Sequence, residues 1–162
     1  MELDKAVAKF LKFMTAEKGA SEHTLKAYSG DLAELCTFLE EEQIDTVDSA
    51  ELFVLRGYVA ALFDRNLSRS TIERKISALK SFFSFLQKKR IMEENPARML
   101  KFPKKEEKLF NVFNIDDLLN LLELPDKSKP AGLRDALLIE LMYGTGMRVS
   151  ELVSLNISDI DF

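Results

Sequence analysis

Across residues 3–86 the apolar side chains return at intervals of three and four. That period commits the chain to amphipathic helices that bury one face each. Leu3, Val7, Phe10 and Met14 mark a first helix that should end at Gly19. Leu25, Tyr28, Leu32, Leu35 and Leu39 mark a second, with Ser21 as its cap. A third should start near Ser49 and bury Leu52, Leu55, Val59 and Leu62. A fourth should open with Ser70 and Glu73 at capping-box spacing and bury Ile72, Ile76, Leu79, Phe83 and Leu86. Four such helices with short joints imply a compact bundle. With 46% apolar residues among 162, the chain can fill a real core. Cys36 is the only cysteine and lies on the second apolar stripe, so a buried free thiol is expected and a disulfide framework is excluded. Tyr28 and Tyr143 fall at stripe spacing and read as core residues, and Tyr58, beside Val59 on the third helix, reads as packing too.

After Asn95-Pro96 the helical period fails. Residues 102–110 carry Pro103 and a mixed run of Lys and Glu without apolar periodicity, which reads as a linker. A second unit then starts with clear punctuation. Asn114 can cap a helix, Asp116 and Asp117 suit the positive end of its dipole, and Phe113 with Leu118 fits a hydrophobic staple. Further helices are expected at about 133–143 and 148–155, and residues 157–162 read as the opening of a strand without a partner. The organisation is therefore 1–101, a linker over 102–110, and 111–162 as part of a larger domain, all-α in class. No apolar run approaches a membrane span, and Met1 is followed by Glu2 and Asp4 instead of a basic leader, so a cytoplasmic protein is expected.

The net charge of −4 argues against a polyanion as partner, but the charge is unevenly placed. Residues 69–108 hold 12 Lys and Arg against 5 Asp and Glu, while the segments on either side are acidic. On the fourth helix Arg74, Ser77, Ser81, Ser84 and Lys88 recur at three and four, opposite the apolar stripe, with Lys75 and Lys80 beside them. Small hydroxyls between basic residues would let a helix lie close to a phosphate backbone or enter a groove. From the stripe alone a plain solvated helix face is the commoner reading.

The second chemical signal is Gly144-Thr145-Gly146-Met147-Arg148-Val149-Ser150-Glu151-Leu152. Gly144 suits the left-handed residue that ends a helix, and Gly146 frees the backbone to start another at once. Arg148 and Glu151 then share a helix face. A guanidinium is a planar fork that can grip two phosphate oxygens, and a carboxylate beside it would fix its orientation. On these nine residues alone an ordinary helix corner with a surface ion pair fits as well.

The fuller string, from Arg134-Asp135-Ala136-Leu137-Leu138 to Leu155 and Ser158-Asp159-Ile160-Asp161, closely resembles the first catalytic motif of the tyrosine site-specific recombinases, the Xer branch in particular. Ser21-x-x-Thr24-x-x-x-Tyr28-x-x-Asp31-Leu32 and Ser70-x-x-x-Arg74-x-x-x-Ala78-Leu79-x-Ser81-Phe82, leading to Asn95-Pro96-Ala97, are similar to the second and fourth helices of that family's SAM-like core-binding domain. The resemblance implies a four-helix DNA-binding bundle, a flexible linker with Lys101, Lys104, Lys105 and Lys108, and the start of a catalytic domain, clamped together around a double-stranded core site. It implies Arg148 as the first catalytic arginine with Glu151 in support, and Thr24, Lys26, Arg74, Lys75, Ser77, Lys80, Ser81 and Lys88 as DNA-facing residues.

In this family a tyrosine attacks a DNA phosphodiester to form a 3′-phosphotyrosyl link, arginines neutralise the phosphoryl transition state, and strands rejoin without metal or other cofactor. Four protomers, identical or of two related kinds, assemble at the synapse. The family's lysine hairpin, His-x-x-Arg pair and nucleophilic tyrosine have no match in these 162 residues, so the chain by itself is expected to bind DNA without cleaving it. His23 is followed by Lys26 and reads as a surface histidine. Two other classes stay open. A non-catalytic helical DNA-binding module would share the basic helix but leave the Arg148 string unexplained, and a helical protein-interaction domain would make both accidental.

Overall fold

The computed structural model describes residues 1–104 and 113–160, in two compact units, Met1–Glu106 and Glu107–Phe162. Most of the expected linker lies outside the described residues. Among those described there are seven α-helices and no strand, so the chain is all-α.

The first unit holds α1 (Leu3–Ala16), α2 (Glu22–Glu41), α3 (Leu52–Asp64) and α4 (Arg69–Lys88), with 3-10 turns at Val47–Ser49 and Pro96–Met99. Their apolar stripes meet in one core. Phe10, Leu32, Leu35, Leu39, Leu55, Tyr58, Leu62, Ile72, Ile76, Leu79, Phe82 and Phe83 are all essentially sealed from solvent. At about 1.5–3 kcal/mol for each large side chain buried, this contact far outweighs any helix propensity. Phe10 of α1 meets Phe82 of α4 edge-on with ring centroids 5.6 Å apart, and Phe38 of α2 meets Tyr58 of α3 at 5.3 Å. Cys36 is buried in the same core, and burial pushes its thiol up to about 11.

Local chemistry sets the helix ends. The Ser21 hydroxyl accepts the Thr24 N–H at 3.3 Å, as the sequence suggests. The fourth helix is capped by Ser68, not Ser70: its Oγ accepts the Thr71 N–H at 3.3 Å. The third begins at Leu52 instead of near Ser49, because Val47–Ser49 forms its own 3-10 turn. Past the ends of α2 and α4, Gln43 and Arg90 adopt left-handed φ values of 62° and 56°. There Ile44 N–H donates to the Leu39 carbonyl at 2.8 Å and Ile91 N–H to the Leu86 carbonyl at 2.9 Å, the six-to-one bond that closes a helix C-terminus.

The second unit holds α5 (Ile115–Glu123), α6 (Pro130–Thr145) and α7 (Val149–Ser154). Asn114 caps α5 as expected, its Oδ1 accepting the Asp117 N–H at 2.7 Å. The left-handed residue after α6 is Gly146 (φ 68°), and Gly144 is still helical, which corrects the expected assignment. Tyr143 is 64% exposed, so its expected place in a core does not hold. The expected strand is also absent among the described residues. Ile157–Asp159 is a 3-10 turn, since the Asp159 carboxylate accepts the Asn156 N–H at 2.9 Å and curls the chain before it can extend. No helix among the described residues is long and apolar enough to cross a membrane.

Candidate functional site

On α4 the inward and outward faces separate the basic residues sharply. Ile72, Lys75, Ile76 and Leu79 all lie on the buried arc, so Lys75 is only 6% exposed. Its ammonium donates to Asp31 Oδ1 at 3.1 Å and to Glu34 Oε2 at 3.1 Å, both on α2. Lys75 therefore does not stand beside the exposed stripe, and its expected role at a DNA face is withdrawn. A buried ammonium is tolerable only when paired, and this one spends its donors on two carboxylates.

The same cluster reaches three helices. Glu34 Oε1 accepts from Arg65 Nη1 at 2.9 Å and from the Tyr58 hydroxyl at 3.1 Å. Burial opposes the ionisation of Glu34, but Lys75 and then Arg65 outweigh it and hold its carboxyl below the usual range. Burial, and then the negative charge of Glu34, pushes the Tyr58 phenol above its ordinary value, so it stays a donor.

Arg74 sits at the edge of this cluster with its side chain 41% exposed. Its Nη1 donates to Asp31 Oδ2 and to the Ala27 carbonyl at 3.4 Å. These bonds set the first turns of α2 against the first turns of α4. At that end of the unit Thr24 is half-buried with its hydroxyl 3.0 Å from Ser21 Oγ, and Lys26 is exposed. Along α4, Ser77 and Ser81 are half-buried and Ser84 and Lys88 exposed. Ser77 Oγ donates back to the Glu73 carbonyl at 2.9 Å, which leaves its lone pairs and its small size to the surface. Lys80 lies 4.9 Å above the Phe102 ring and 3.5 Å from the Arg98 carbonyl, so it braces the segment that leaves the bundle.

Sequence reading missed Asp31 and Glu34 as partners of this face. The signal was present: Asp31 falls between Tyr28 and Leu32 on the inward arc of α2, and Lys75 between Ile72 and Ile76 on that of α4. One charge on each of two buried arcs implies that they meet.

In the second unit the helix corner presents Arg148. Thr145 Oγ1 donates to the Leu141 carbonyl at 2.5 Å and accepts the Met147 N–H at 3.3 Å, tying the turn around Gly146. Arg148 is the residue that caps α7, so it stands just outside the helix and not within it as expected. Glu151 reaches back with both oxygens. Its Oε2 accepts the Arg148 backbone N–H at 2.7 Å and its Oε1 accepts Arg148 Nη1 at 2.7 Å. The backbone N–H first, and then the guanidinium, hold the Glu151 carboxyl below its ordinary range. The arginine side chain is nevertheless 81% exposed, so one edge is fixed and the other stays open. Leu152, 7% exposed, anchors the helix underneath.

Residues 7–90 match the family described as "Phage integrase, N-terminal SAM-like domain", and residues 111–162 match "Phage integrase family". The tyrosine recombinase XerC of Bacillus subtilis (strain 168) is 39% identical over 152 residues, covering 94% of this chain and 50% of that protein. The tyrosine recombinase XerD of Staphylococcus haemolyticus is 34% identical over 159 residues, covering 98% of this chain and 54% of that protein. The chain thus spans about half the length of the curated relatives it matches. Among solved structures, the Tn1549 transposon integrase (aa 82–397), in complex with circular intermediate DNA, superposes with a TM-score of 0.70 at 21% identity, over 100% of this chain and 52% of that one. That likeness is one of fold.

Proposed function

The chain belongs to the phage integrase family, and from that premise we propose that it supplies the core-binding bundle and the first catalytic arginine of a tyrosine recombinase. In the full-length protein the activity is site-specific recombination of double-stranded DNA. A tyrosine oxygen bonds to the scissile phosphorus, the 5′ oxygen leaves, and a 3′-phosphotyrosyl link carries the bond until a new 5′ hydroxyl attacks it. The link keeps the energy of the broken bond, so rejoining draws on no other cofactor.

The observation that carries the reading is the Arg148–Glu151 pair. The carboxylate fixes one edge of the guanidinium while most of the side chain remains open. A planar donor set held in advance can meet the two non-bridging oxygens of a five-coordinate phosphorus without reorganising as charge builds. Arg148 is the catalytic residue in this proposal, and Glu151 positions it. The DNA-facing set is Thr24, Lys26, Arg74, Ser77, Lys80, Ser81 and Lys88, Lys75 being left out. The partner is a double-stranded core site, bound by a tetramer of identical or related recombinases.

Two measurements test this. The 162-residue chain should bind a labelled duplex with a steep salt dependence, yet trap no covalent complex on a nicked suicide substrate. In the full-length recombinase, Arg148→Ala should slow strand cleavage on the order of 100- to 1000-fold while duplex affinity stays within a few-fold. Unchanged cleavage by that variant would remove Arg148 from the mechanism.

A further inference from the structure

We propose that Asp31 is the positioning residue for Arg74, holding one edge of its guanidinium so that the other edge meets a DNA phosphate at a fixed point on α4. This rests on the reading of α4 as a DNA face. Asp31 is 2% exposed, and its two oxygens serve different cations: Oδ1 accepts from Lys75 and Oδ2 from Arg74.

The composition of the cluster argues against a purely structural role for Arg74. Asp31 and Glu34 face three cations, Lys75, Arg65 and Arg74, all within ion-pair distance. Lys75 already bridges both carboxylates from inside. Arg74 is the surplus positive charge, and its side chain stands at the surface, 41% exposed. Among the described residues every hydrogen bond it makes comes from Nη1, to Asp31 and the Ala27 carbonyl, which leaves Nη2 and Nε for an outside acceptor. An arginine fixed before binding loses less side-chain freedom when a phosphate arrives, and a guanidinium can serve a carboxylate with one edge and a phosphate with the other. Asp31 and Glu151 thus act alike, each a carboxylate holding one edge of an exposed arginine.

The proposal makes a prediction opposite in sign to simple electrostatics. Removing a carboxylate makes the protein more positive, and by its field alone should tighten DNA binding. Positioning requires that binding weaken. Binding of the 162-residue chain to a fluorescein-labelled duplex of mixed sequence is followed by anisotropy against salt, for the parent, Asp31→Asn, Arg74→Ala and the double variant.

Arg74→Ala should weaken binding about tenfold and reduce the magnitude of the log–log salt slope by about 0.9, the share of one phosphate. Asp31→Asn should weaken it on the order of fivefold, and should cost nothing further in the Arg74→Ala background. Asp31→Asn binding as tightly as the parent, or losing affinity additively with Arg74→Ala, overturns the proposal. An Arg74→Ala variant that binds like the parent overturns instead the DNA reading of this position, and the proposal with it. If Asp31→Asn fails to fold, as its helical dichroism would show, Arg74→Lys decides. It keeps the charge and can still reach Asp31 but has no second edge, so it should bind more weakly than the parent, and equal binding sinks the idea.

Discussion

Lys75 and Lys88 share a helix and a charge, yet truncating them should have unlike effects. Lys75→Ala leaves Asp31 buried without its inner partner, a change that costs about 3–5 kcal/mol in comparable buried pairs. Lys88→Ala removes an exposed side chain and should stay within about 0.5 kcal/mol, while weakening duplex binding. Urea unfolding of the two variants, beside salt-dependent binding, separates the roles. Glu34 adds a pH signature. Its carboxyl titrates below the ordinary 4.5, so its ionised form favours the folded state above that value, and the contribution disappears as pH falls through the lowered folded value. Glu34→Gln should therefore melt below the parent at neutral pH, with the gap closing in acid. Melting curves across that range check it, and a gap that widens in acid would contradict the assignment.

Helix existence was legible because each buried stripe repeats at three and four, and α1 to α4 appear where those stripes do. Helix ends were less so, because neighbouring residues offer the same cap. Ser68 and Ser70 both carry a hydroxyl, and only the three-dimensional path of the chain gives the Thr71 N–H to Ser68. Gly144 and Gly146 were likewise alternatives. Gly146 takes φ 68°, so Gly146→Ala should destabilise the second unit by about 1 kcal/mol, whereas Gly144→Ala enters a helix with open space around it and should be neutral or mildly stabilising. The same logic run in reverse applies to Gln43, a non-glycine at φ 62°. Gln43→Gly should relieve about 1 kcal/mol of backbone strain and raise the melting temperature. Over the described residues 157–160 the expected strand does not form, because the Asn156–Asp159 bond is local and available at once, whereas a strand needs a partner. The candidate site divided in the same way: that Arg148 and Glu151 pair was readable from their spacing of three, but Asp31 needs the contact between two helices that are far apart in sequence.

At the scale of the whole chain the two units differ in how much they bury. The contiguous core lies entirely in the first, whereas Ala136 and Leu152 are the buried apolar residues among those described in the second. Residues 1–104 expressed alone should therefore give a cooperative thermal transition with full helical dichroism, and residues 113–162 alone should give a broad one or none. The lone thiol turns this difference into a measurement. Cys36 is shielded in the core and its ionisation is pushed up to about 11, so near neutral pH only about one part in ten thousand is thiolate. A maleimide reagent will find it only when the bundle opens. The rate of labelling is then a clock for opening of the first unit, which holds the chain's single cysteine, and it needs no engineered probe.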